Sequence, residues 1–230
     1  MLADKEHSKD SEKPKEHIPT RKFDLPLPDA RYGASILLLG STRSGKTTLQ
    51  NYIHKEYFDK VMTCVHTWSP QSGIYSELKK HSVFMPDYRP DIINETYQIN
   101  KACNNRYRFL HIVDDVVGKK NDPMLMKLLT ILRNSRISAM ITGQELSIFN
   151  AICRSNINFV FLGYLNSDMA IKKVVEAYLR TYFPKHYSVL DCMREYKTMT
   201  ANKYFILIDN IHGTICRTKL DLDAVARARS

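Results

Sequence analysis

Residues 40–47 read GSTRSGKT, directly after the apolar run SILLL at 35–39 and directly before TLQNYIHKEYF. Every fixed position of G-x-x-x-x-G-K-[ST] is filled, and the flanks read as a strand entering and a helix leaving, the setting in which this pattern forms a phosphate-binding loop. The residue types follow from the task. Gly40 and Gly45 let the backbone curl until successive N–H groups point inward at phosphate oxygens. The helix that opens at Lys46 adds its positive N-terminal end. The candidate nucleotide-contacting set is therefore Gly40, Ser41, Thr42, Arg43, Ser44, Gly45, Lys46, Thr47 and Thr48. Within it, Lys46 reaches for the β- and γ-phosphates and the Thr47 hydroxyl for Mg²⁺. ATP and Mg²⁺ are the expected ligands.

Around this loop, short apolar runs alternate with helical patterns. The runs are 35–39, 61–66, 109–113, 137–142 and 157–162. Each is continuously apolar, as strands buried on both faces of a parallel sheet are. Helical spacing covers 47–58, 122–136 (with Asp122 as N-cap and Pro123 as first helical residue) and 167–183, capped by Ser167 or Asp168. The end, KYFILIDNIHGTICR, reads as two strands about a turn at 209–213. The expected fold is α/β: a P-loop NTPase of the ASCE/RecA-like class, with a mostly parallel sheet flanked by helices and a C-terminal β-hairpin. Residues 1–22 are polar and charged and read as a disordered arm; 23–230 read as a single ATPase domain, with core motifs in 33–165 and the last helix and hairpin in 166–230.

FLHIV at 109–113 ends in Asp114 and Asp115. If that run lies next to the 35–39 strand, Asp114 emerges beside Thr47 and holds Mg²⁺ through water, while Asp115 orients or deprotonates the attacking water. Gln144 ends the next strand, where an amide senses the γ-phosphate or positions water. Arg133 and Arg136 end the helix before that strand. One of them could cross a subunit boundary to offset transition-state charge, or both could simply complement a helix C-terminus. The catalytic candidates are Lys46, Asp115, Gln144 and Arg133; the metal candidates are Thr47 and Asp114. Lys119 and Lys120, in the loop after Asp115, read equally as pore residues or as a solvated loop. Trp68 stacks on the base, anchors a subunit contact or merely packs.

The net charge of +10 is carried almost entirely by residues 23–230, because the first 22 hold six basic and five acidic residues. A basic surface suits a polyanion such as double-stranded DNA, with a surface that serves only solubility as the plain alternative. Five scattered cysteines form no CxxC pair, the histidines lack zinc-ligand spacing, and no apolar run is long enough to span a bilayer. With no signal-peptide core, an intracellular setting is expected.

The order GSTRSGKT, FLHIVDD, LRNSRISAMITGQ, IFNAICRSN resembles the FtsK–HerA superfamily of DNA-translocating ATPases, and within it the genome-packaging ATPases of nucleocytoplasmic large DNA viruses, including virophage and polinton-like relatives. That branch carries a Gly-Arg-His-x-x-Ile-Ser stretch. Here Arg133 and Ile137-Ser138 match it, while Leu132 and Asn134 replace its glycine and histidine. The resemblance implies an ATP-hydrolysing subunit of a pentameric or hexameric ring that drives double-stranded viral DNA into a preformed capsid. Capsid or inner-membrane vertex proteins would be partners, and the place of work the cytoplasm or viral factory of an infected host, or the virion. It makes Arg133 the better trans-acting finger, with Arg136 and Arg154 in reserve. A helicase or recombination-type ATPase, or a nucleotide-gated DNA-binding scaffold with slow hydrolysis, shares the same motifs.

Overall fold

The structure, a computed structural model, describes residues 17–67, 75, 78, 82–114 and 122–221. Its elements in chain order are β1 (Ser35–Leu39), α1 (Lys46–Phe58), β2 (Met62–His66), β3 (Ser82–Met85), α2 (Pro90–Ala102), β4 (Phe109–Val113), α3 (Pro123–Thr130), β5 (Ile137–Gly143), α4 (Ala151–Asn156), β6 (Phe159–Leu162), α5 (Asp168–Val174), α6 (Val189–Thr200), β7 (Phe205–Asp209) and β8 (Thr214–Thr218). One sheet carries all eight strands in the order β3-β2-β4-β5-β1-β6-β7-β8. The first six run parallel to one another, β7 runs antiparallel to them, and β8 antiparallel to β7. This is the P-loop NTPase fold that the alternation predicts.

Alternate residues of each central strand face opposite sides. Leu37, Leu39, Ala139, Ile141 and Val160 enter a core with the apolar residues of α2 to α6. Ile36, Leu38, Ile112, Met140 and Phe161 enter a second core beneath α1 and the lead-in residue Leu25. Because both faces are covered, the strands read as continuous apolar runs rather than alternating ones.

Several expectations need correction. The strand of 109–113 is not beside β1: β5 lies between them. Two strand spacings, about 10 Å, therefore separate the ends of β4 and β1. The helix expected over 122–136 stops at Thr130 and tightens into a 3₁₀ turn, Leu132–Ser135, and Arg136 then enters β5 in the left-handed conformation (φ 59°). The pattern at 167–183 opens on a Ser167 cap and then widens into a π-helical turn, Val175–Leu179. Residues 17–22, read as the end of a disordered arm, lie along β8: Thr20 bridges Arg217, the Arg21 N–H donates to its carbonyl (2.8 Å), and Ile18 is buried. This segment pairs with what would otherwise be an open strand edge.

Candidate nucleotide site

The loop after β1 is fastened to both neighbouring strands. The Gly40 N–H donates to the Gly143 carbonyl at the end of β5 (3.1 Å), and the Ser41 N–H to the Tyr164 carbonyl beyond β6 (2.8 Å). Arg43 and Gly45 both take left-handed conformations (φ 65° and 96°), which curl the chain back on itself. A β-carbon on Gly40 would lie 2.5 Å from Ser44 Oγ, so any larger residue there would have to displace that hydroxyl. Gly45 caps α1 without any side-chain hydrogen bond, so this 13-residue helix directs its N-terminal amides at the loop. Lys46 Nζ donates to the carbonyls of Gly40 (2.5 Å) and Ser41 (3.0 Å), folding its charge over the loop where an anion would sit.

Beside the loop opens a cavity of about 520 Å³. Thr42, Arg43, Gly45, Lys46, Thr47 and Thr48 form one wall, and Asp114 and Gln144 close one end. Asp114 is held from three directions. Its N–H donates to the His66 carbonyl (2.9 Å), the Thr142 hydroxyl donates to Oδ1, and the buried Tyr75 phenol donates to Oδ2. The same carboxylate, together with burial, pushes the Tyr75 hydroxyl well above the ordinary tyrosine pKa; burial is the larger cause. Thr47 and Asp114 bring a hydroxyl and a carboxylate, both hard oxygen donors, to one cavity. That donor set fits Mg²⁺, which completes its shell with phosphate oxygens and water. Among the described residues no cluster of three or more His, Cys, Asp or Glu could hold a metal without such help.

The opposite end of the cavity was not foreseen. Lys203, Phe205, Lys219 and Leu220, from the terminal hairpin, wall it there. β7 runs antiparallel to β6, so it begins, and β8 ends, at the same end of the sheet as the loop. Tyr75 and Thr142, the two donors to Asp114, were also missed. No local pattern marks them, since they meet the carboxylate only through the fold.

Of the predicted residues, Thr42, Arg43, Gly45, Lys46, Thr47, Thr48, Asp114 and Gln144 line one cavity, while Gly40, Ser41 and Ser44 belong to the same loop but not to that lining. Arg133 does not join them. It precedes β5, whose seven residues put about 20 Å of strand between it and the loop. It is half-buried and donates to the Asn156 carbonyl (3.4 Å). Arg136 sits at the same remote end and donates to the carbonyls of Ala30 and Arg106 (3.1 and 3.0 Å). Arg154 donates to the Phe149 carbonyl (2.8 Å) and lines a second cavity that shares no residue with the first. Asp115, Lys119, Lys120 and Trp68 lie outside the described residues.

No family model and no curated protein matches the sequence. Solved structures do match the fold. The genome packaging NTPase B204 from Sulfolobus turreted icosahedral virus 2, in complex with AMP, is 17% identical with a TM-score of 0.56, over 81% of this chain and 97% of that one. B204 described as the DNA-packaging ATPase from Sulfolobus turreted icosahedral virus gives 17% and 0.57, over 80% and 96%. The pCW3 conjugation coupling protein TcpA, as a monomer with ATPγS, gives 11% and 0.54, over 88% of this chain and 67% of that one. At these identities the likeness is one of fold: two of the neighbours are packaging NTPases and the third a conjugation coupling protein solved with ATPγS.

Proposed function

We propose that the chain is a Mg²⁺-dependent ATPase subunit of a ring that drives double-stranded viral DNA into a preformed capsid in the infected cell. The observation that carries this is the single cavity uniting the phosphate loop, Thr47, Asp114 and Gln144, on a fold shared with a packaging NTPase over 81% of the chain. Phosphoryl transfer asks a protein mainly for positioning and electrostatics. Lys46 and the amides at the start of α1 hold the phosphate oxygens. Thr47 and Asp114 hold the ion, which neutralises charge on the β- and γ-phosphates when bound. Asp115 takes the proton of the attacking water, and Gln144 orients that water. Arg133, remote from its own site, serves the site of a neighbouring copy. Among the described residues no helix is long and apolar enough to cross a membrane, and the excess positive charge suits duplex DNA.

Steady-state ATP hydrolysis with and without long duplex DNA tests the proposal. DNA should stimulate turnover, and Lys46→Ala and Asp115→Asn should each reduce it at least a hundredfold. ATP binding without DNA stimulation, and with a silent Asp115→Asn, would leave a nucleotide-gated scaffold. Separation of the strands during turnover would make the chain a helicase instead.

A further inference from the structure

The cavity has two ends, and the sequence motifs occupy only one. Asp114 and Gln144 follow β4 and β5, on one side of β1. On the other side stand β6, β7 and β8, and from the hairpin Lys203, Phe205, Lys219 and Leu220 reach the cavity. A triphosphate in the loop with its γ-phosphate beside Asp114 and Gln144 sends its nucleoside the other way. The geometry points to the β7–β8 hairpin as the nucleoside half of the site: Phe205 and Leu220 form an apolar floor for the base, and Lys203 and Lys219 donate to ribose hydroxyls and ring nitrogens. This rests on the nucleotide reading above and extends it to residues that no motif marks.

Three observations support the assignment. First, Phe205, a buried ring, is seated close beneath the phosphate loop. A β-carbon on Gly163 would lie 2.8 Å from its ring, and one on Gly45, the last curl of the phosphate loop, 3.8 Å. The ring thus sits directly under the turn that opens α1. Second, Asn202 and Lys203 are both left-handed (φ 56° and 62°), a conformation uncommon outside glycine, and this turn ends with Lys203 on the cavity wall. Third, the charge suits the ligand. Asp114 is the only carboxylate among the described lining residues, so the hairpin end offers donors and apolar surface alone. Lys219, itself exposed, rests 5.3 Å from the centre of the half-buried Tyr204 ring, which Arg217 covers more closely at 3.7 Å, so its ammonium is only loosely engaged there.

The test uses the full chain with Lys203→Ala and Lys219→Ala combined, both positions being exposed. Calorimetry would compare ATP with inorganic tripolyphosphate, each with Mg²⁺. The expected result is about a tenfold loss of ATP affinity with tripolyphosphate binding unchanged, a difference of about 1.4 kcal/mol. Equal losses for both ligands would mean that the lysines hold phosphates, and no loss for either would place the nucleoside elsewhere; each overturns the assignment. Photolabelling of the unsubstituted protein by 8-azido-ATP should mark the hairpin, and label confined to other peptides would also overturn it. If the unsubstituted chain binds neither ATP nor tripolyphosphate, the nucleotide reading fails and takes this one with it; normal ATP binding that ignores the two lysines removes the hairpin assignment alone.

Discussion

His66 Nε2 lies 3.1 Å from His111 Nδ1, with both rings shut away from solvent between β2 and β4. Their protons have one consistent arrangement. The Arg89 N–H donates to His66 Nδ1 (3.2 Å), so His66 carries its hydrogen on Nε2 and gives it to His111. His111 Nε2–H then donates to Thr96 Oγ1 (2.9 Å), whose own hydrogen reaches the Ile93 carbonyl (2.9 Å). Burial holds His66 down at about 4 and His111 at about 3, against an ordinary value of 6.5.

That relay predicts acid sensitivity. As pH falls through 6.5 the unfolded chain takes up protons at both histidines, while the folded chain takes them up only near 4 and below. The pair's contribution is thus intact above pH 6.5 and is lost progressively toward pH 4, with a total on the order of a few kcal/mol. Urea unfolding at pH 7.5 and pH 5.0 should show the loss, and His111→Gln should flatten part of the slope. An unchanged slope in that variant would sink the argument. Since the His66 carbonyl also receives the Asp114 amide, acid should weaken the site together with the fold.

Tyr75 and Thr142 each donate to one oxygen of Asp114 and so fix the orientation of the carboxylate proposed above to hold Mg²⁺. Groups that orient a metal ligand matter to affinity nearly as much as the ligand does, so Tyr75→Phe should raise the Mg²⁺ concentration for half-maximal hydrolysis roughly tenfold. Its ATP affinity in EDTA should stay within about twofold, because the phosphate loop is untouched. An unchanged Mg²⁺ midpoint would show that Tyr75 only packs.

Most of the central sheet could be read directly, because strands covered on both faces are apolar throughout and cannot hide. What escaped was polar by design. α2 turns Ile93, Thr96 and Asn100 inward, and only the first is apolar. Thr96 serves His111, while Asn100 bonds the Tyr107 backbone and the Ser135 carbonyl, so the helical period of apolar residues is broken where the helix is most needed. β3 is a four-residue edge strand, too short to show a period. α6 did leave signals, a Ser188–Asp191 capping box and Cys192, Met193, Tyr196 and Met199 at helical spacing, and these were passed over. The site divides the same way. Residues that a ligand requires at fixed spacing were legible, whereas Tyr75, Thr142 and the hairpin wall arrive from distant positions.

Gly33 predicts a steric failure. A β-carbon there would sit 2.1 Å from the Ile137 carbonyl oxygen and 2.5 Å from its carbon, and both atoms are backbone. The close approach lets the Gly33 N–H reach the Arg133 carbonyl (2.7 Å) and sets β1 in register with β5. Gly33→Ala should therefore cost about 3 kcal/mol or more, since neither strand can retreat from a filled core. A urea midpoint equal to that of the natural sequence would contradict it.

Arg133 presents the sharpest question about assembly. Its own phosphate loop lies about 20 Å away along β5, further than a guanidinium can extend, so any catalytic part it plays belongs to another copy's site. Exposed Ile131 and Ile152 stand beside it in sequence and by way of Asn156, apolar surface of the kind a subunit contact would cover. Arg133→Ala alone should bind ATP normally and hydrolyse it at least a hundredfold more slowly. Lys46→Ala subunits should be equally inactive, but for want of bound nucleotide. Mixed in equal amounts, the two should regain part of the activity, because an intact loop in one copy then meets an intact arginine in the next. If mixtures stay inactive while each variant still assembles, Arg133 acts within its own chain's framework, where its bond to Asn156 gives it a structural role.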